Sequence, residues 1–375
     1  MRRQDHSARM KRGKSPERPP VSVITGYLGS GKTTLLNRLL RHPALANTAV
    51  IINEFGEIAL DHLLVAAPSE NMVLLANGCI CCAVRGDLVG TLGDLADKRA
   101  RGETPPFDRV LIETTGLADP VPVLQTLITD PEVGPRYRLD GVLTLVDGVH
   151  GAAQLDAHRE AVKQAALADR LLITKCDVAP DESIAALERR LGALNPAAQR
   201  YRITRGEISP EELFGVALED RGAKGLARWL RQEAYVATGA RRGGYIGADR
   251  HDNGIDAFSV HLDQPVTRAG LVTWLHLLAS LRGANLLRMK GLLNVEGRPV
   301  TVHAVQTLID EPVPLERWPD EDRRSRLVFI TRDMARADIE RTLDALGFDA
   351  GAAQQSGAFD PRAYERFVAV AGNFR

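Results

Sequence analysis

The stretch Gly26-Tyr-Leu-Gly-Ser-Gly-Lys-Thr33 constrains this chain more than any other. It fits G-x-x-x-x-G-K-[ST], a loop whose backbone N–H groups cradle a polyphosphate. Gly26, Gly29 and Gly31 let the main chain take positive φ and approach phosphate with no Cβ in the way. Ser30 and Thr34 belong to the same cradle, which ends on the N-terminus of a helix, itself an anion site. Lys32 brings a positive charge to the β- and γ-phosphates, and the Thr33 hydroxyl suits Mg²⁺. Such a loop requires a strand before it and a helix after it. Val21–Thr25 reads as a short buried strand, and Leu35, Leu36, Leu39 and Leu40 recur at helical spacing. The chain is expected to bind a nucleotide.

From Val21 onward, short apolar runs alternate with longer helical patterns. Strands are predicted at Val21–Thr25, Ala49–Asn53, Met72–Ala76, Arg109–Glu113, Gly141–Asp147, Leu171–Thr174 and Tyr201–Thr204. Helices are predicted at Thr33–Arg41, Asp87–Arg101, Val121–Thr129, Ala152–Ala168, Asp181–Leu194 and Pro210–Gly215. This alternation predicts an α/β P-loop NTPase domain with a mostly parallel sheet covered on both faces. Ligands of such sheets sit at the carboxyl ends of the strands. A strand at Ile255–Asp263, a helix at Thr267–Leu281, paired strands at Leu286–Val295 and Val300–Ile309 around Glu296-Gly297, a strand at Arg326–Thr331 and a helix at Met334–Leu346 follow. That order predicts a smaller α+β domain of ferredoxin-like type. The expected boundaries are a basic tail at 1–19, the nucleotide domain at 20–220, a linker at 221–253, the C-terminal domain at 254–346 and a tail at 347–375.

The 375 residues carry 48 basic and 48 acidic side chains, so nothing global attracts nucleic acid or an anionic membrane. No apolar run approaches the ~18 residues of a membrane span. The basic N-terminus lacks the apolar core of a secretory signal. Three of the four cysteines lie within four residues, Cys79, Cys81 and Cys82, where adjacent thiols do not pair readily. A cytoplasmic protein with reduced cysteines, open to metal or redox chemistry, is the expectation.

The remaining motifs follow predicted strands. Glu113-Thr-Thr-Gly-Leu-Ala-Asp-Pro120 puts an acid at a strand end, suited to holding Mg²⁺ directly or through water. Gly116 stands where its N–H reaches a γ-phosphate, a sensor of GTP against GDP. Thr174-Lys-Cys-Asp177 puts a carboxylate, Asp177, where it accepts from guanine N1–H and the 2-amino group, with the Lys175 stem packed on the base. Asn53-Glu-Phe-Gly-Glu57, then Asp61 and His62, forms a loop of the kind that folds over γ-phosphate and Mg²⁺, with Glu54, Glu57 and His62 as further metal ligands. Gly78-Cys-Ile-Cys-Cys82 offers a soft thiolate site for Zn²⁺ or Cu(I). Catalytic work falls to Lys32, Glu113 and Glu54. Glu54, Glu113 and Asp119 are the candidates to orient the attacking water. Cys176 reads as structural, and His150, His158, His261, His276 and His303 as ordinary surface or core residues.

In that order the motifs resemble the CobW-like family of P-loop GTPases, which act as metallochaperones. The resemblance covers roughly residues 20–215, and the second domain looks like that family's C-terminal domain. It implies GTP hydrolysis, zinc (or cobalt) on Cys79, Cys81 and Cys82, and delivery of metal to a client metalloprotein; a homo-oligomer is compatible with it. The usual guanine signature begins with Asn where this chain has Thr174, and the His-rich stretch of many zinc-linked relatives is missing. The rival readings are a P-loop kinase or other ATP-using enzyme with structural cysteines, and a metal-responsive module holding nucleotide as a structural ligand.

Overall fold

The computed structural model describes residues 18–53, 64–69, 72–75, 80–83, 88–216 and 254–348. The 221–253 linker, most of both tails, and Glu54, Glu57, Asp61, His62 and Cys79 lie outside the described residues.

Nine strands form the first sheet: β1 (Pro20–Gly26), β2 (Thr48–Asn53), β3 (Leu64–Ser69), β4 (Met72–Leu75), β5 (Ile80–Ala83), β6 (Arg109–Thr114), β7 (Arg138–Asp147), β8 (Arg170–Thr174) and β9 (Gln199–Arg202). Their order is β3-β4-β5-β2-β6-β1-β7-β8-β9. Every pairing from β5 through β9 is parallel, while β4 runs antiparallel to both β3 and β5. Parallel strands must be covered on both faces. One face packs Ile24, Leu111, Leu143 and Leu172 against Leu35, Leu36 and Leu39 of α1 (Lys32–Leu39). The opposite face packs against α2 (Leu88–Arg101), α3 (Val121–Thr129), α4 (Gly151–Ala157), α5 (Arg159–Leu167) and α6 (Asp181–Leu194). A short α7 (Pro210–Leu213) closes the described part of this domain.

The helix predicted over Ala152–Ala168 breaks at His158, which is extended (φ −130°, ψ 116°), giving α4 and α5. Two strands not predicted, β3 and β5, flank β4.

The second sheet is antiparallel: β10 (Ile255–Leu262), β11 (Leu286–Val295), β12 (Arg298–Val305), β13 (Leu308–Ile309), β14 (Val313–Pro314) and β15 (Ser325–Arg332). Its order is β10-β15-β11-β12-β13, with β14 on β12. β10 and β11 therefore run in the same direction with β15 between them, the split β-α-β arrangement, joined by α8 (Arg268–Arg282). Glu296 (φ 52°) and Gly297 (φ 88°) make the tight two-residue turn between β11 and β12. The helix predicted over Met334–Leu346 is α9 (Arg336–Glu340) followed by a 3₁₀ turn, Leu343–Gly347. Between them Thr342 bonds back to the Ile339 carbonyl and accepts from the Trp274 indole at 2.8 Å, fixing the break.

One face of this sheet buries Trp274, Phe258 and Phe329 under α8. The other face contributes Leu287, Val305, Leu308 and Ile330 to the same core as Val123, Leu124, Leu127, Ala166 and Leu167 of the first domain. The molecule is thus helix, sheet, helix, sheet, helix in section. No helix among the described residues is long and apolar enough to cross a membrane.

Candidate nucleotide-binding site

β1 delivers the chain to a loop whose glycines hold the conformations the motif demands. Gly26, Gly29 and Gly31 have φ of 148°, 72° and 91°. A Cβ on Gly26 would stand 2.4 Å from the Leu145 carbonyl oxygen and 2.7 Å from Ser30 Oγ, so only glycine fits. Gly31 is the N-cap of α1, and the loop closes with a Ser30 N–H bond to the Tyr27 carbonyl at 3.1 Å. Lys32 is buried, its Nζ donating to the Gly26 carbonyl at 2.9 Å. Ser30 Oγ is buried with no hydrogen-bond partner among the described residues, an open polar group in the loop. Thr33 and Thr34 are exposed at the start of α1.

Glu113 is buried near the carboxyl end of β6, in register with Ile24 of β1. Alternation along β6 puts it on the face that Leu111 shares with α1. Its neighbour Thr114 donates to Thr25 Oγ1 at 2.9 Å on the opposite face. A buried carboxylate on the strand beside the phosphate loop, with the Thr33 hydroxyl at the start of the adjoining helix, is a donor set whose chemistry fits a magnesium ion. The loop after β6 lies directly on the phosphate loop. A Cβ on Gly116 would stand 2.8 Å from the backbone nitrogen of Leu28. Asp119, a candidate to orient water, is occupied otherwise: it caps α3 through the Val121 N–H at 3.0 Å and pairs with Lys163 at 2.5 Å.

Beyond β8, Thr174 takes the place of the expected Asn and does structural work. Its hydroxyl donates to the Ser30 carbonyl at 2.8 Å and stands 3.3 Å from that of Val146, tying this loop to the phosphate loop. Lys175 holds a left-handed backbone (φ 56°), costly for a residue with a side chain. Its ammonium reaches Asp147 at 2.6 Å. Burial alone would raise the Asp147 pKa; the Lys175 ammonium and the His150 and Val149 N–H groups outweigh it and hold the carboxyl below its usual value. Asp177 is exposed, 3.6 Å from Arg205 Nε. Cys176 is a free, half-buried thiol donating to the Ile173 carbonyl at 3.1 Å, and burial pushes its pKa up.

The sequence reading missed two contacts. His158, taken for an ordinary histidine, stacks on Tyr27 of the phosphate loop with ring centroids 4.5 Å apart. Gln164 of α5 donates to the carbonyls of Gly116 (3.3 Å) and Ala118 (3.0 Å). No local pattern marks either one, because each partner is remote in sequence.

The cysteine motif is positioned differently from the others. It was expected just after a strand's carboxyl end, but β4 is antiparallel and Cys81 and Cys82 lie within β5. Cys82 is in register with Ile51 of β2, which is in register with Ile112 of β6. The next step pairs Ala83 with Ile52 and Ile52 with Glu113. The Cys82 backbone is therefore two strand spacings, about 10 Å, from that of Ile112. Among the described residues no group of three His, Cys, Asp or Glu side chains is gathered around a metal position.

Residues 20–202 match the CobW/HypB/UreG nucleotide-binding domain, and residues 255–347 match the cobalamin synthesis protein cobW C-terminal domain. The zinc chaperone YjiA of Escherichia coli is 36% identical over 332 residues, covering 87% of this chain and 98% of its own. The zinc chaperone CobW of Pseudomonas aeruginosa is 30% identical over 383 residues, covering 90% and 95%. The crystal structure of Zn(II)-bound YjiA GTPase from E. coli superposes with a TM-score of 0.69 at 33% identity, over 88% of this chain and 99% of that one.

Proposed function

The chain belongs to the CobW family of P-loop proteins, and from that premise we propose that it is a GTPase that couples nucleotide turnover to zinc handling and passes the metal to a client metalloprotein. Two relatives are named zinc chaperones, and a zinc-bound GTPase shares the fold. The observation that carries the coupling is the strand register: Cys82 and Ile112 face the same residue of β2, one step before Glu113. A displacement of β2 or β6 on nucleotide binding reaches the cysteine strand through two hydrogen-bonded neighbours.

The phosphate loop amides and Ser30 hold the β- and γ-phosphates, and Lys32 leaves the Gly26 carbonyl to pair with them. Thr33 and Glu113 hold Mg²⁺, which when bound neutralises charge on the phosphates. Gly116 presents its N–H to the γ-phosphate, and Glu54 orients the attacking water. Thr174 keeps the base loop against the phosphate loop, Lys175 packs along the base, and Asp177 selects guanine by accepting from N1–H and the 2-amino group. Cys79, Cys81 and Cys82 carry zinc as cargo; in a reducing cytoplasm they are available as thiolates. Coupling of this kind is reciprocal: whatever GTP does to zinc affinity, zinc does to GTP affinity.

The test is GTP hydrolysis by the wild type and Cys81→Ala, with and without stoichiometric Zn²⁺. The expected result is a Zn²⁺-dependent rate in the wild type that Cys81→Ala loses. Identical rates in all four measurements would remove zinc from the control of the GTPase.

A further inference from the structure

α5 touches the nucleotide site and the C-terminal domain within a single turn and a half. Lys163 pairs with Asp119 at 2.5 Å, and Gln164 donates to the Gly116 and Ala118 carbonyls, so the loop after β6 is held by two adjacent residues of this helix. Three residues on, the Leu167 carbonyl accepts from Arg288 of β11. Just past the helix, Asp169 is gripped by Arg288 and, at 2.8 Å, by Lys290 of the same strand, while its other oxygen accepts the Val142 N–H at 3.0 Å. Asp169, Arg288 and Lys290 are all buried, their side chains 5–6% exposed. Full burial would push the Asp169 carboxyl up; the two cations reverse that and hold it far below the usual carboxylate range.

The helix between these contacts has little freedom to bend. Ala161, Val162, Ala165, Ala166 and Leu167 are buried, and the Gln164 carbonyl accepts from Thr144 of β7 at 2.9 Å. Close-packed interiors transmit a displacement rather than absorb it. The nucleotide end of the helix also carries an unmet acceptor. Gln164 is buried, and its Oε1 has no hydrogen-bond partner among the described residues, although its amide nitrogen serves two carbonyls. A buried acceptor is costly to leave unmet. Its amide nitrogen already engages the Gly116 and Ala118 carbonyls of the loop assigned to sense the γ-phosphate. Turning a loop peptide toward phosphate changes which of its groups faces Gln164.

We propose that α5 is the lever by which nucleotide state reaches the C-terminal domain, with Lys163 and Gln164 as its input and the Asp169–Arg288–Lys290 cluster as its output. The inference rests on the GTPase reading above and adds the route. Asp169 and Lys290 are positioning residues: they touch no reacting atom and act by fixing β11 to the helix end.

Hydrogen–deuterium exchange on the full chain tests this, with GDP or with a non-hydrolysable GTP analogue plus Mg²⁺. In the wild type, exchange across Leu286–Val295 and the 167–170 segment is expected to differ about 5-fold or more between the two states, the scale of ordinary allosteric coupling. Lys290→Met, which spares the Asp169–Arg288 pair, and Lys163→Met, in the middle of the helix where it meets the loop after β6, should each reduce that difference to about 2-fold or less while GDP affinity stays within about 2-fold. Lys290→Arg should preserve the difference. Variants that lower the melting temperature but keep the nucleotide-dependent difference overturn the lever and leave a purely structural cluster. Equal exchange in both states of a wild type that binds both nucleotides overturns the lever alone. Failure to bind either nucleotide overturns the lever and the GTPase reading together.

Discussion

Asp169, just before β8, and Thr174, at its carboxyl end, stand only five residues apart, about 17 Å, and the two ends use polar groups in opposite ways. At the carboxyl end, Thr174 and Lys175 border a loop with a buried hydroxyl, Ser30 Oγ, that has no hydrogen-bond partner among the described residues. At the amino end, the Asp169 carboxylate takes two cations and a backbone N–H, and Asp140 of β7 takes the Ser22 hydroxyl and the N–H groups of Gly215 and Val216. The carboxyl edge leaves a neutral hydroxyl open beside the phosphate loop, whereas the amino edge ties its two carboxylates down, although Arg170 Nε and Arg288 Nε there have no partner among the described residues. One parallel sheet thereby keeps chemistry and assembly apart while joining them by a single short strand.

Substitutions at the two edges should fail in different assays. The largest effect is expected at the amino edge. Asp169→Ala strands two buried cations and should cost about 3–5 kcal/mol in urea unfolding. The acid profile sharpens the point. The Asp169 pKa is lowered in the fold, so its stabilisation is complete above the unfolded carboxyl pKa of about 4 and is lost progressively as pH falls below it. Asp169→Asn should therefore flatten the stability curve below pH ~4. Next comes Lys32→Ala at the carboxyl edge, with a fall in kcat of about 10²–10³-fold, unfolding free energy little altered and zinc stoichiometry retained. Asp177→Ala should follow, weakening GDP by about 10–100-fold, the worth of hydrogen bonds to a charged group, with no matching loss for ADP. Binding of ATP in preference to GTP by the wild type would instead favour the kinase reading. The smallest is His158→Ala, which removes only the stack on Tyr27; about 0.5–1.5 kcal/mol, or up to about 10-fold in GDP affinity, is expected.

Much of the carboxyl edge was legible beforehand because it is built from local patterns. Glycines at fixed spacing, an acid closing an apolar strand and the Leu35–Leu40 periodicity are each readable within a dozen residues. Helices α3 and α6 fall where the sequence predicts them, residue for residue. The amino edge was not legible. Arg288 and Lys290 alternate with apolar residues in a strand, a pattern that ordinarily faces water. They are buried because a second domain covers that face, with partners 119 and 121 residues away. β5 was missed because four residues, two of them cysteines, read as a motif rather than a strand. The break at His158 carries no glycine or proline to announce it; Tyr27, 131 positions earlier, is what its ring answers to.

The core that Leu287, Val305, Leu308 and Ile330 share with Val123, Leu124, Leu127 and Leu167 has a practical corollary for anyone dissecting the protein. Cutting between residues 216 and 254 would strip a continuous greasy surface from each fragment. Neither piece should stay monodisperse in buffer, and mixing the two should rescue solubility. The CobW-type halves are better regarded as one folding unit made from two sequence modules than as parts to be exchanged.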